Sequence, residues 1–94
     1  MRLAIVTGAA SGMGRAIADD LHGGGWAVGY LDVREFELAE DERRARFLCD
    51  VSSEDEVERT FAAVRERFGL PLWACFANAG ISGGSDRFLE VTVE

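Results

Sequence analysis

Hydrophobic residues in this chain fall into short unbroken runs and one helical stripe, separated by glycine-rich breaks. Leu3-Ala4-Ile5-Val6 is short enough for a buried strand and is cut off by Gly8. Small residues continue to Gly14, and Arg15-Ala16-Ile17-Ala18-Asp19-Asp20-Leu21 then reads as a helix stopped by Gly23-Gly24-Gly25. Trp26-Ala27-Val28-Gly29-Tyr30-Leu31 predicts a second strand ending at Asp32. Val33 to Arg44 carries mixed charges around Phe36, Leu38 and Ala39 and fits a short exposed helix. Just over a dozen residues then separate the second strand from the third, close to the minimum for a parallel crossover.

Arg46-Phe47-Leu48-Cys49 predicts that third strand, closed by Asp50-Val51. Ser53-Glu54-Asp55-Glu56 is a capping box, with acids where the helix dipole favours them. Val57, Phe61, Val64 and Phe68 follow at i, i+4, i+7 and i+11, one apolar stripe on a helix that Gly69 and Pro71 terminate. Leu72-Trp73-Ala74-Cys75-Phe76-Ala77 is almost wholly apolar, as a strand covered on both faces should be. Asn78-Ala79-Gly80 ends it, a glycine- and serine-rich loop runs from Ile81 to Arg87, and Phe88-Leu89-Glu90-Val91 leads to Thr92, placed to cap a helix. The resulting β-α-β-α-β-α-β pattern predicts an α/β fold, half of a doubly wound parallel sheet of the Rossmann type, with strand order 3-2-1-4. Right-handed crossovers would put the first two helices on one face and the third on the other.

The stretch Leu3 to Gly14 carries the candidate chemistry. A strand, a glycine-rich turn and a helix N-terminus bring main-chain N–H groups and a positive dipole end towards an anion. Gly8 allows the tight turn, Gly12 leaves room for a pyrophosphate, and Gly14 lets the helix pack closely on the sheet. The spacing is Gly-x-x-x-Gly-x-Gly, so a glycine-rich turn without a ligand stays open on spacing alone. Asp32 lies eighteen residues past Gly14, near the distance expected of an acid that accepts hydrogen bonds from an adenosine ribose. A 2′-phosphate beside it would face a like charge at a cost of about 4 kcal/mol at ~4 Å and an effective dielectric near 20. NAD is therefore preferred to NADP, with Arg34 the one feature that works against this. Asp50, at the next strand end, is placed either to meet an adenine amino group or to cap a turn.

Composition narrows the classes. Ninety-four residues make at most one domain. Ten basic against seventeen acidic residues give a net charge of −7, which disfavours nucleic acid or an anionic membrane surface as the main partner. A phosphate site built from backbone amides does not depend on that charge. No apolar stretch approaches the ~20 residues that span a bilayer, and no signal or transit pattern opens the chain. The expectation is a cytoplasmic protein. Cys49 and Cys75 lie in apolar runs without metal-site spacing, so they read as buried core thiols and no metal is expected. The chain has no lysine, a single tyrosine, Tyr30, and a single histidine, His22, expected to be exposed near a helix end.

Thr7-Gly8-Ala9-Ala10-Ser11-Gly12-Met13-Gly14, Asp32, Asp50-Val51 and Asn78-Ala79-Gly80 thus stand in order at successive strand ends. Together they resemble the N-terminal half of the short-chain dehydrogenase/reductase family, whose hallmarks are Thr-Gly-x-x-x-Gly-x-Gly and a later Asn-Asn-Ala-Gly. Ala77 stands where the family usually has its first asparagine. The resemblance implies that Gly8, Ser11, Gly12, Met13 and Gly14 surround the pyrophosphate and nearby ribose. It further implies that Asp32 takes the adenosine ribose hydroxyls, Asp50 and Val51 flank the adenine, and Asn78, Ala79 and Gly80 line the nicotinamide-side ribose. Family members transfer a hydride between NAD(P) and an alcohol or carbonyl.

The family's catalytic serine, tyrosine and lysine would lie beyond Glu94. Tyr30 with Arg34 is no substitute, because an arginine of pKa above 12 cannot share in a proton relay. Residues 1–94 are therefore expected to be the NAD(P)-binding part of a longer oxidoreductase, without catalytic residues and inactive alone. A non-catalytic dinucleotide-binding or sensor module, or an interaction protein, is the alternative. An unpaired edge at Trp73-Ala74-Cys75-Phe76 would then favour self-association or pairing with a complementary C-terminal half.

Overall fold

The first apolar run and the threonine after it, Leu3–Thr7, are buried from end to end because this strand lies at the centre of the sheet. In the computed structural model, which describes residues 1–77 and the strand 88–91, β1 spans Leu3–Thr7, α1 Gly12–Gly23, β2 Ala27–Asp32, β3 Arg44–Leu48, α2 Glu54–Phe68, β4 Leu72–Ala77 and β5 Phe88–Val91. The strand order is β3-β2-β1-β4-β5. The first four strands run parallel in the expected order 3-2-1-4. All four carboxyl ends therefore meet at one edge.

Each face of the sheet has its own core. Leu3, Ile5, Leu31, Leu72 and Cys75 pack against Val64 of α2, with Val57, Phe61 and Phe68 of the predicted stripe beside them. Val6, Val28 and Tyr30 pack against Ala18 of α1 on the other side. Gly29 shows how close α2 comes: a Cβ there would lie 2.9 Å from Val64 Cγ1. Parallel pairing slips by one residue between β1 and β4, where Leu3 faces Leu72 but Ala4 faces Ala74. The bulge at Trp73 brings Leu72 and Cys75 to the same core, and Arg2 stacks 4.9 Å from the Trp73 ring.

The helix ends follow their sequence signals with one change. Ser53 caps α2 by accepting the Glu56 N–H at 3.3 Å. The reciprocal half of the capping box goes elsewhere: Glu56 Oε1 accepts the N–H of Asp50 at 2.8 Å. Gly69 closes α2 in the left-handed region, φ +65°, as a glycine after a helix commonly does.

Four expectations are corrected. No helix forms between Val33 and Arg44: residues 33–40 have neither helix nor strand, and β3 starts at Arg44 rather than Arg46. Phe36 and Leu38 both pack on the α1 core, and residues two apart share a face only in extended backbone. The crossover thus lies on the expected side of the sheet in a different conformation. The edge of β4 is not open, because β5 pairs with it antiparallel, Ala74 facing Val91 and Ala77 facing Phe88. An open β4 edge therefore gives no ground for self-association. Lastly, His22 is largely covered, its side chain 16% exposed and its Nε2 2.9 Å from Asp41 Oδ2.

Candidate functional site

The carboxyl ends of β1 and β4 lie side by side where the strand order reverses, the place where open α/β sheets bind ligands. The turn from β1 into α1 occupies this point. Gly8 and Gly12 both take positive φ, +66° and +64°, which side chains with a Cβ resist. A Cβ on Gly12 would meet nothing within 4 Å, so the turn is open on that side. Ser11 is the N-cap residue but makes no side-chain cap. The first turn of α1, with Met13 and the buried Gly14, carries N–H groups that no intrahelical carbonyl can take. Ser11, Gly12 and Met13 are exposed. A helix N-terminus of this kind suits a diphosphate.

Hydrogen bonds tie the turn to the tips of the neighbouring strands. Ala9 N–H donates to Leu31 O at 2.9 Å, and Cys49 N–H donates to Asp32 O at 2.9 Å. On the other side, Thr7 Oγ1 donates to Phe76 O at 3.5 Å. Asp32 sits between them, only 6% exposed. Its Oδ2 accepts the N–H of Ala10 and its Oδ1 the N–H of Arg34, each at 3.0 Å. Burial pushes the Asp32 carboxyl up, but the two N–H groups and the Arg34 charge outweigh it and hold the pKa below the usual value. Asp32 is ionised at neutral pH.

Arg34 spans the mouth of the site. Its Nη2 donates to Ser11 Oγ at 3.0 Å and its Nε lies 3.5 Å from Asp32 Oδ1, with the side chain 65% exposed. Neither contact shields it from water, so the guanidinium is free to exchange partners. Asp50 is exposed beyond β3. Its Oδ1 accepts the Ser52 hydroxyl at 2.7 Å and the Ser52 N–H at 3.0 Å, which lowers its pKa. This is a turn-forming carboxylate, and Val51 beside it is exposed. Asn78, Ala79 and Gly80 lie outside the described residues.

The structure thus brings together Gly8, Ser11, Gly12, Met13, Gly14 and Asp32, with Asp50 and Val51 following the adjacent strand. Ala10 has no sequence signal for its part, since its backbone N–H does the work. Tyr30 is remote from any proton relay: fully buried, it donates to Asp19 Oδ1 at 2.7 Å. Burial and then that bond push its phenol up to about 12.

A sheet of this order, with a glycine turn at its switch point and a buried acid at the next strand end, defines a doubly wound α/β protein of the Rossmann type. Comparison with known proteins narrows this. A family profile described as short chain dehydrogenase matches residues 2–94. The 2-(R)-hydroxypropyl-CoM dehydrogenase of Xanthobacter autotrophicus is 38% identical over 90% of this chain and 37% of its own. Ligand-free aldohexose dehydrogenase of Thermoplasma acidophilum superposes with a TM-score of 0.75 at 31% identity, over 85% of this chain and 30% of its own. An actinorhodin polyketide ketoreductase solved with NADPH gives a TM-score of 0.71 at 32% identity, over 90% of this chain and 35% of its own. The chain belongs to the short-chain dehydrogenase family. It spans just over a third of the length of the first of these relatives.

Proposed function

We propose that these residues form the NAD-binding half of a short-chain oxidoreductase that moves a hydride between a nicotinamide cofactor and an alcohol or carbonyl. Gly8, Ser11, Gly12, Met13 and Gly14 hold the diphosphate and nearby ribose, and Asp32 accepts from the adenosine ribose hydroxyls. Asp50 and Val51 flank the adenine, and Asn78, Ala79 and Gly80 line the nicotinamide-side ribose. One observation carries this reading: the Asp32 carboxylate is buried at the tip of β2 and bonded to the glycine turn through Ala10 N–H. When bound, the dinucleotide supplies the hydride carrier; this chain's residues bind and orient it.

An ionised Asp32 repels a 2′-phosphate, so NAD is preferred to NADP. Arg34, exposed and able to exchange partners, moderates that preference. The 94 residues alone bind cofactor and turn nothing over. They contain no lysine, and the Tyr30 phenol is buried against Asp19, so the catalytic groups come from a further segment of the whole protein. A cytoplasmic location fits two buried thiols, and no helix among the described residues is long and apolar enough to cross a membrane.

Thermal unfolding with each cofactor tests the reading. NAD at ~100 times its Kd stabilises by about 2.7 kcal/mol, which raises Tm by of order 10 °C in a domain of this size. NADP at the same concentration gives a smaller rise, and Asp32→Ala abolishes the difference. No shift with NAD, or equal shifts with both, rejects the assignment.

A further inference from the structure

We propose that Arg15 is a positioning residue for the ribose side of the site, pinning the crossover after Asp32 to the first turns of α1. The inference rests on the cofactor reading above. Residues 33–40 have neither helix nor strand, so no ladder within the segment takes their carbonyls. Three arginines from other elements bind three of them. Arg46 of β3 donates to Phe36 O, Arg15 Nη1 to Glu37 O at 3.1 Å, and Arg44 Nε to Ala39 O at 2.7 Å. Two of the three reach up from the neighbouring strand. Arg15 reaches across from the helix that begins at the glycine turn.

Its remaining contacts fix its direction. Arg15 Nε lies 3.3 Å from both Asp19 carboxylate oxygens, and its Cζ sits 5.8 Å from the Tyr30 ring centroid. Asp19 is itself held by the Tyr30 hydroxyl at 2.7 Å and lies 3.7 Å from Arg44 Nη1. A cation this near a helix N-terminus suggests a phosphate ligand by charge alone. Here the guanidinium is instead bound one turn down its own helix and to the crossover. Between Asp32 and Glu37 runs the stretch holding Arg34, which bridges back to Ser11. Releasing Glu37 O frees the middle of a segment with no hydrogen-bond ladder of its own, and the groups around Asp32 move with it.

The test measures binding of NAD, and of NAD lacking the adenosine 2′-hydroxyl, to the 94-residue chain by calorimetry. Wild type prefers NAD by at least about tenfold, the loss of one hydrogen bond to a charged group. Arg15→Lys keeps the charge, but an ammonium cannot span Asp19 and Glu37 O together. It cuts the preference by about fivefold, a moderate coupling for one hydrogen-bond network, and leaves affinity for the 2′-deoxy analogue unchanged. Tyr30→Phe keeps the buried ring while releasing Asp19, and gives a smaller drop in the same sense. Equal loss of both ligands would make Arg15 a phosphate ligand or a general structural prop and overturn the proposal. An unchanged preference in both variants overturns it too. Failure of the wild-type chain to bind NAD removes the cofactor reading and this inference with it. Binding without preference for the 2′-hydroxyl removes the role of Asp32, and with it the need to position that residue.

Discussion

Replacing Asp32 by asparagine separates what the carboxylate does for the fold from what it does for a ligand. The change keeps the size of the side chain but leaves one acceptor oxygen where two N–H groups, from Ala10 and Arg34, now find one each. An amide NH2 must then face one of those N–H groups, and the surviving bond loses its charge. Hydrogen bonds to charged groups contribute about 1.5–3 kcal/mol, so the variant should be about 2 kcal/mol less stable at pH 7. The ion pair with Arg34 adds little, because that side chain is mostly in water. At a urea dependence of roughly 1–2 kcal/mol per molar, the midpoint should fall by about 1–2 M. Trp26 and Trp73 provide the fluorescence signal.

The pH dependence fixes the cause. The Asp32 pKa is lowered in the folded chain from the ordinary 3.8, so the folded state binds this proton less readily than the unfolded state. Its stabilisation is complete above the unfolded pKa and is lost as pH falls through the folded one. The gap between wild type and Asp32→Asn should hold steady from pH 8 to about 5 and narrow below about 4, where the free carboxyl titrates. A variant within about 0.5 kcal/mol of wild type at pH 7, the size of an ordinary surface substitution, would refute the argument. So would a gap that does not narrow in acid.

Gly29→Ala should cost about 1–3 kcal/mol, because the new methyl overlaps Val64 Cγ1. Adding Val64→Ala should cost less than the two single losses summed, a coupling that a double-mutant cycle reads from urea melts. Ser53→Ala removes the cap of α2 and should lower stability by about 1 kcal/mol, with little change in cofactor affinity. Tyr30→Phe should lose about 1 kcal/mol at neutral pH. Because the Tyr30 pKa rises from 10.0 to about 12 on folding, that difference should disappear as pH climbs from 10 through 12, and no phenolate absorbance should appear below pH 10. Cys49 and Cys75, both buried, should react with a thiol reagent only at the rate of chain opening.

The parts of the fold that could be read directly are those where one physical requirement dominates. Continuous apolar runs such as Leu3–Val6 and Leu72–Ala77 had to be covered on both faces, and only a parallel sheet between helical layers does that. Residues 33–43 were harder because two periods compete there. Their charges and loose apolar spacing suit an exposed helix, yet Phe36 and Leu38 lie two apart, and the chain buries both on one face. A signal was present but weak: two residues against a dozen. Side chains on other elements decided the matter, since arginines from α1 and β3 take the carbonyls a helix would have bonded internally. The antiparallel β5 is a different case. Phe88–Val91 has strand composition, but its antiparallel pairing with β4 is set by chain direction, and residue types do not record that.

The candidate site was legible for a related reason. The groups proposed to bind an anion are backbone amides, and the sequence marks these only through the glycines that expose them: Gly8 and Gly12 at positive φ, with open space in front of Gly12. Cations near the turn mislead when read by charge. Arg15 is bound to Asp19 and the crossover, and Arg34 to Asp32 and Ser11. Both are matched by carboxylates of their own, so the phosphate site proposed for this chain of net charge −7 would rest on backbone amides rather than on cations. On the proposed reading, diphosphate affinity would depend on fixed dipoles at a helix end and only weakly on ionic strength, whereas cofactor choice would depend on one buried carboxylate. The two properties sit on different elements, the turn after β1 and the tip of β2, and the bond from Ala10 N–H to Asp32 Oδ2 joins them.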